Sequence, residues 1–275
     1  MNPIRKYLDD RSDVRMIDGV FPSDETSGRL YYALDPASLP VKLPAGAAAR
    51  LVVLHESATA SALRIELGEG ARLELLEVFL AEAFAEVEVT QAARSECRIT
   101  TLQLAGANLS CRMSLDGRDA ACALHGLFLA GEREHCVVKL RTEHNTADCR
   151  SESFVKGVAG GEALGEFCGL VYVAPDAQRT DAQQQSRNIL LSDAARIDTR
   201  PQLEIYADDV KCTHGATVGQ MDDEAVFYMR QRGLSEVQAR RLQIEGFAAD
   251  VVGRCGIEPL RDALTELVAA KMERM

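Results

Sequence analysis

Between Leu51 and about Val210 the chain alternates apolar and polar residues in many short runs: Leu63, Ile65, Leu67; Leu73, Leu75; Val87, Val89; Leu102, Leu104; Val171, Val173; Leu203, Ile205. A period of two is the signature of strands that bury one face. Turn signals such as Asp116-Gly117 and Gly160-Gly161 punctuate the runs and no long helical stretch intervenes. Residues 51–220 are therefore predicted to form an all-β body. Residues 1–50 carry proline at positions 3, 22, 36, 40 and 44 and one weak apolar run around Val14 to Phe21. They read as an N-terminal lead-in segment with few regular elements.

Cys97, Cys111, Cys122, Cys136 and Cys149 fall 14, 11, 14 and 13 residues apart. A small buried residue at such intervals suits a chain that coils rung upon rung, as in a parallel β-helix. A sandwich with strands every 8 to 12 residues or so gives a similar rhythm, so the spacing alone leaves both architectures open.

After Gln220 the texture becomes helical. Asp222-Asp223-Glu224 places carboxylates at a helix amino terminus, with Ala225 to Arg232 following and Gly233 as the stop. Ser235 and Gln238 have the spacing of a capping box for a second helix reaching about Val252, with Gly253 beyond. Pro259 suits the first turn of a third, whose apolar face is Leu260, Ala263, Leu264, Leu267, Val268 and Met272. Residues 221–275 thus form a C-terminal helical region.

Composition narrows the function. Lysine and arginine total 31 against 42 acids, a net charge of −11 across 275 residues, with no basic stripe. Sequence-independent binding to nucleic acid is excluded on that balance. A 47 % hydrophobic and 27 % charged content is that of a folded chain. No apolar run approaches the roughly 18 to 20 residues of a membrane span, and residues 1–10 lack a secretory signal. A cytoplasmic address is expected, with the eight cysteines as reduced thiols. None is arranged as Cys-x-x-Cys, which removes the main support for zinc-ribbon, thioredoxin and ferredoxin readings.

The hydrolase motif G-x-S-x-G and the phosphate loop G-x-x-x-x-G-K are both absent. The glycine-rich stretch Gly157 to Gly161 reads as a turn. His125, His135 and His144 would make a zinc site if stacked rungs brought three imidazoles together, the basis of an alternative reading as a metal-dependent β-helix enzyme. Asp208-Asp209 reads as a turn and Asp222-Asp223-Glu224 as helix capping. Cys212 and His214 are two residues apart on one predicted strand, so a thiol and an imidazole share a face. Such a pair can bind a soft or borderline metal, and equally suits a strand end with a buried cysteine and a surface histidine.

Five segments carry a resemblance: SFVKGV over 153–158, QRTDAQ over 178–183, SRNILLS over 186–192, PQLEIYADDVKCTHGATVG over 201–219 and FYMRQRG over 227–233. They resemble the SufB/SufD family of iron-sulfur cluster assembly scaffold proteins, densely from about residue 151 to 233. SufB-like chains carry Glu after the corresponding histidine, where this chain has Gly215. They also carry a cluster-linked cysteine near the position of Ser192, so the chain resembles the SufD branch. The resemblance implies a mainly β fold, a right-handed parallel β-helix with a small C-terminal α-helical region. It implies no enzymatic activity of the chain's own. It further implies a SufB-like partner through the β-helix and a SufC-like ATPase on the C-terminal helices. His214 and Cys212 match the pair implicated in cluster formation at the interface with SufB. The cofactor implied is iron or a nascent iron-sulfur cluster, transient and shared with SufB, none being permanently bound by the isolated chain. A third reading is a purely structural β-helix that self-associates, and an exposed strand edge makes a homodimer in isolation a further expectation.

Overall fold

The computed structural model describes residues 2–22 and 27–275. One sheet has nine strands, in the order β1 (Val14–Met16), β2 (Ser27–Leu34), β4 (Ala48–His55), β6 (Arg72–Phe79), β8 (Glu96–Gln103), β10 (Ala121–Ala130), β12 (Arg150–Ala159), β14 (Asp181–Leu190) and β16 (Lys211–Gln220). The other has seven: β3 (Ser38–Leu43), β5 (Thr59–Leu67), β7 (Ala83–Gln91), β9 (Ala107–Leu115), β11 (His135–His144), β13 (Leu164–Val173) and β15 (Arg196–Ile205). From β2 onward, successive strands alternate between the sheets. Each strand from β4 to β14 pairs in parallel with the strands two before and two after it, so the chain coils with two strands per turn. The parallel ladders set aside the sandwich, whose sheets are antiparallel.

Register partners measure the turn. Ala48, Arg72 and Glu96 stand one above another, a step of 24 residues; Ala121, Arg150 and Asp181 follow at steps of 25, 29 and 31. Strands lengthen from 8 residues in β6 to 10 in β12, so the coil widens toward its C-terminal end. The cysteine period is the half-turn of this coil. Cys97 lies in β8, Cys111 in β9, Cys122 in β10, Cys136 in β11, and Cys149 immediately before β12, all buried in one interior core.

The two sheets differ in what covers them. In β7 burial alternates strictly, with Ala83, Ala85, Val87, Val89 and Gln91 inward and polar residues mostly outward. Through β4, β6, β8, β10 and β12 the nine-stranded sheet is buried on both faces toward the C-terminal end of each strand, which is why β10 reads as an almost unbroken apolar run. Its outer residues Leu76, Val78, Leu102, Leu127 and Leu129 pack against helices: α1 (Pro3–Asp9), α2 (Asp223–Gln231), α3 (Glu236–Val252) and α4 (Arg261–Met272). The helix boundaries follow the sequence signals. The Asp222 side chain accepts from Ala225 N, Ser235 and Gln238 form the reciprocal capping box, and Gly233 takes a φ of 97°. Pro259 lies in a single 3₁₀ turn, Glu258–Leu260, ahead of α4.

Two sequence expectations are corrected. Residues 1–50 are not poor in regular elements: they hold α1, β1, β2, β3 and the start of β4, and the coil begins within them (23–26 lie outside the described residues). Proline hid this. Pro40 sits inside β3, the edge strand of its sheet and exposed, where a missing N–H breaks no continuous ladder. Gly157 is not in a turn either but inside β12, where a Cβ would stand 2.0 Å from Cζ of Phe128. Gly160 and Gly161 do make the turn, Gly161 with a φ of 62°.

Candidate functional site at the open end of the coil

The ends of the coil are unlike. At the N-terminal end Ile17 and Phe21 are buried against the interior, with the Phe21 ring 5.0 Å from that of Tyr31. At the C-terminal end β15 and β16 each have, among the described residues, a strand neighbour on one side only. Nine of the ten residues of β16 and five of the ten of β15 are exposed, and the rest are half-buried.

Strand alternation orients β16. Cys212 packs beside Val171, Val173, Ala182 and Ala207, which fixes its side as the inward one. His214, two residues on, shares that side but is exposed at the open end. The thiol and imidazole expected to lie together are therefore brought to one face of the outermost strand. Burial pushes the Cys212 thiol above its ordinary range; a backbone hydrogen bond at Ala182 opposes this and Asp181 adds to it.

The register places each residue at the end of an interior column. Cys97, Cys122, Ser151, Ala182 and Cys212 form one. Leu124, Ser153, Gln184 and His214 form the next. Ser153 and Gln184 were not singled out from the sequence, because their place beneath His214 depends on turn lengths of about 30 residues that periodicity alone does not give.

The zinc site built from His125, His135 and His144 does not form. His125 is on the outer face of the nine-stranded sheet, with Nε2 3.7 Å from Glu152 Oε2, and burial lowers its pKa against the opposing pull of Glu152. His135 lies on the outer face of the seven-stranded sheet, 2.6 Å from Glu166 Oε1. His144 points into the coil, where Nε2 meets Ser151 Oγ at 2.8 Å and burial lowers its pKa to about 4. Three faces separate the three rings. Among the described residues no group of three or more His, Cys, Asp or Glu side chains is placed to hold a metal ion. Asp209 is a turn residue whose N–H donates to Gln178 Oε1, and Asp222 is a helix cap, as expected.

Two surface features lie apart from β16. A 380 Å³ cleft on the outer face of the nine-stranded sheet, lined by Glu96, Arg98, Arg150, Glu152 and Asp181, contains neither Cys212 nor His214. Its charges are partly paired off already, Arg98 with Glu74 and Glu152 with Arg254. On α2 and α3 the large apolar side chains Phe227, Tyr228, Val237 and Leu242 are exposed. Among the described residues, no helix is long and apolar enough to cross a membrane.

These features define a class: a two-sheeted parallel β solenoid, open at one end, with a helical C-terminal region bound along one sheet. Residues 36–247 match the family described as "SUF system FeS cluster assembly, SufBD core domain". The chain belongs to the SufB/SufD family and is SufD-like. It is 40 % identical to the iron-sulfur cluster assembly protein SufD of Escherichia coli K12 over 159 residues, 58 % of this chain and 36 % of that protein. It is 35 % identical to SufD of Bacillus subtilis over 125 residues, 45 % of this chain and 29 % of the relative. A SufBD family protein of Mycobacterium bovis matches at 31 % over 186 residues, 64 % of this chain and 47 % of the relative. The chain thus spans less than half the length of these curated relatives.

Proposed function

We propose that the chain is a non-enzymatic scaffold subunit of an iron-sulfur cluster assembly complex, supporting iron acquisition and cluster formation where its coil meets a SufB-like partner. The observation that carries this reading is the placement of Cys212 and His214 together on the outermost strand of the open end. A cluster is held by four thiolate or imidazole ligands in its common forms, and this chain offers two at that face. The remaining ligands come from the partner, so the cluster or its iron is a transient, shared cargo and none stays bound to the isolated chain. Unpaired strand edges are templates for another chain, and β15 and β16 supply two side by side. In isolation the same edges support a homodimer. A right-handed β-helix is the form of the coil in this reading, and the cytoplasm is its compartment.

The ATPase of the system docks on the C-terminal helices in this reading, at the exposed Phe227 and Tyr228 and their neighbours. Its motion has a mechanical path inward. Arg254 pairs with Glu152 at 2.6 Å, and Lys156 on β12 donates to Phe247 O of α3 at 2.9 Å, so moving α3 pulls on the sheet that ends in β16. ATP-driven displacement of the helices opens the interface and exposes Cys212 and His214 to iron and sulfide.

The test is anaerobic purification of the tagged chain with its partners from its own cells, with iron and sulfide measured. His214→Ala lowers both while the chain stays folded; normal stoichiometry in that variant counts against the proposal. A variant lacking residues 221–275 loses the ATPase, and its retention removes the docking part. Recovery of the chain with no partner leaves the fold without the function.

A further inference from the structure

One interior column changes character at the last rungs of the coil. Leu51, Leu75, Ile99 and Leu124 stand in register there, followed by Ser153, Gln184 and His214. Gln184 is wholly buried and Ser153 is 5 % exposed. Each keeps a polar atom without a hydrogen-bond partner among the described residues, Gln184 Oε1 and Ser153 Oγ. Leucine continues this column at no such cost in earlier turns, so packing does not call for glutamine at this rung.

The geometry of the amide is specific. Gln184 Nε2 donates across the interior to Gly169 O at 3.2 Å, which fixes the flip and leaves the oxygen as the free end. The facing strand makes room for it: a Cβ on Gly169 would stand 2.5 Å from Gln184 Oε1. A buried acceptor held in this way lacks a donor. The next side chain outward in its column is an imidazole, which carries an N–H on one ring nitrogen and a lone pair on the other.

We infer that Gln184 is a positioning residue for His214. Its Oε1 is unpartnered in the structure, and it comes to accept the N–H of one ring nitrogen when the exposed His214 ring turns inward over it, which fixes the tautomer and presents the other nitrogen, lone pair outward, at the open end. This is the part that an outer carboxylate or carbonyl plays for a metal-binding histidine. The consequence for iron rests on the role proposed above for His214, whereas the orientation itself belongs to this chain alone.

The test uses the full chain, labelled with nitrogen-15 and free of metal. Long-range proton–nitrogen spectra at about pH 8, where an imidazole is ordinarily neutral, report the tautomer of each of the five histidines. His214→Asn assigns the relevant signals. A single tautomer is expected for His214, replaced by a mixture of the two in Gln184→Leu and restored to a single hydrogen-bonded form in Gln184→Glu. Gly169→Ala keeps the amide but displaces its oxygen, and gives the mixture too. The other four histidines control for folding; where Gln184→Leu disturbs them, Gly169→Ala decides. A mixed tautomer in the unaltered chain, or His214 signals indifferent to both Gln184→Leu and Gly169→Ala, overturns the inference. These spectra need neither iron nor partner. Normal cluster content in His214→Ala would remove the proposed function and leave this result standing, and the converse pattern would do the reverse.

Discussion

Cys97 on β8 and Cys122 on β10 are register partners in adjacent parallel strands, and both point into the coil. They are unlinked thiols, as are all eight cysteines. Burial drives the Cys97, Cys111 and Cys122 thiols far above the ordinary range and the Cys136 thiol to about 12. Since the thiolate is the reactive form, the interior set is inert by two criteria, access and ionisation.

The first prediction follows from that contrast. Iodoacetamide on the native chain labels Cys168, which is exposed, and then more slowly the half-buried Cys212. The other six react only on denaturation. Peptide mass mapping after a timed quench reads the order, and early labelling of Cys97 or Cys122 would contradict the interior placement.

Acid weakens the fold through His144. This ring is fully buried, and its folded pKa is about 4, against about 6.5 for an unfolded histidine. Below 6.5 the unfolded chain takes up a proton that the folded chain refuses. Stability from this group is therefore whole above 6.5, falls as pH drops through the window from 6.5 to 4, and levels below it. The loss amounts to about 2 kcal/mol between pH 7 and pH 5. Urea unfolding at both pH values should show this excess loss in the unaltered chain relative to His144→Asn. Equal pH dependence in the two would place the ring elsewhere.

Much of this architecture was legible in the residues. Asp222, Ser235 with Gln238, and Gly233 marked helix ends correctly because caps act locally. The cysteine spacing held the half-turn of the coil. It decides between coil and sandwich only when the strand partners are known, and those are set by contacts some 24 to 31 residues apart in sequence. Pro40 misled because a proline weighs differently on an edge strand than inside a sheet, and edges are a property of the assembled sheet. For the candidate site, Cys212 and His214 needed only strand alternation, a local rule. His125, His135 and His144 are also close in sequence, yet the coil sorts them onto three faces.

Two glycines test the close packing between rungs. A Cβ on Gly117 would come within 1.9 Å of Ala93 N, a backbone atom of the preceding turn that cannot step aside. On Gly46 it would meet nothing within 4 Å, though φ is 72°. Gly46→Ala should cost about 1 kcal/mol from backbone strain, and Gly117→Ala at least ~3 kcal/mol or a failure to fold. Similar denaturation midpoints for the two variants would show that the turns have slack which these contacts deny.

The remaining prediction concerns how the helices hold the sheet. Lys156 projects from the outer face of β12 and is only 3 % exposed. Its ammonium pairs with Asp250, donates to Phe247 O at 2.9 Å, and lies 4.1 Å from the centre of the Phe247 ring. Every one of those partners is on α3. Lys156→Met keeps the apolar stem but removes the charge and donors, and Asp250, 57 % exposed, returns to water at little penalty. The expected loss is ~1–3 kcal/mol, the worth of a charge-assisted hydrogen bond with a cation–π contact. It should fall on docking of α3 rather than on the coil. Hydrogen exchange then quickens in α3 while amides of β6, β8 and β10 keep their protection. Under the function proposed above, the same variant should bind the ATPase normally yet assemble less cluster, because only the Arg254–Glu152 link remains to carry helix motion into the sheet. Unchanged exchange in α3 would show that the apolar contacts alone fasten it. Normal cluster content with a loosened α3 would remove this helix from the path by which the ATPase acts.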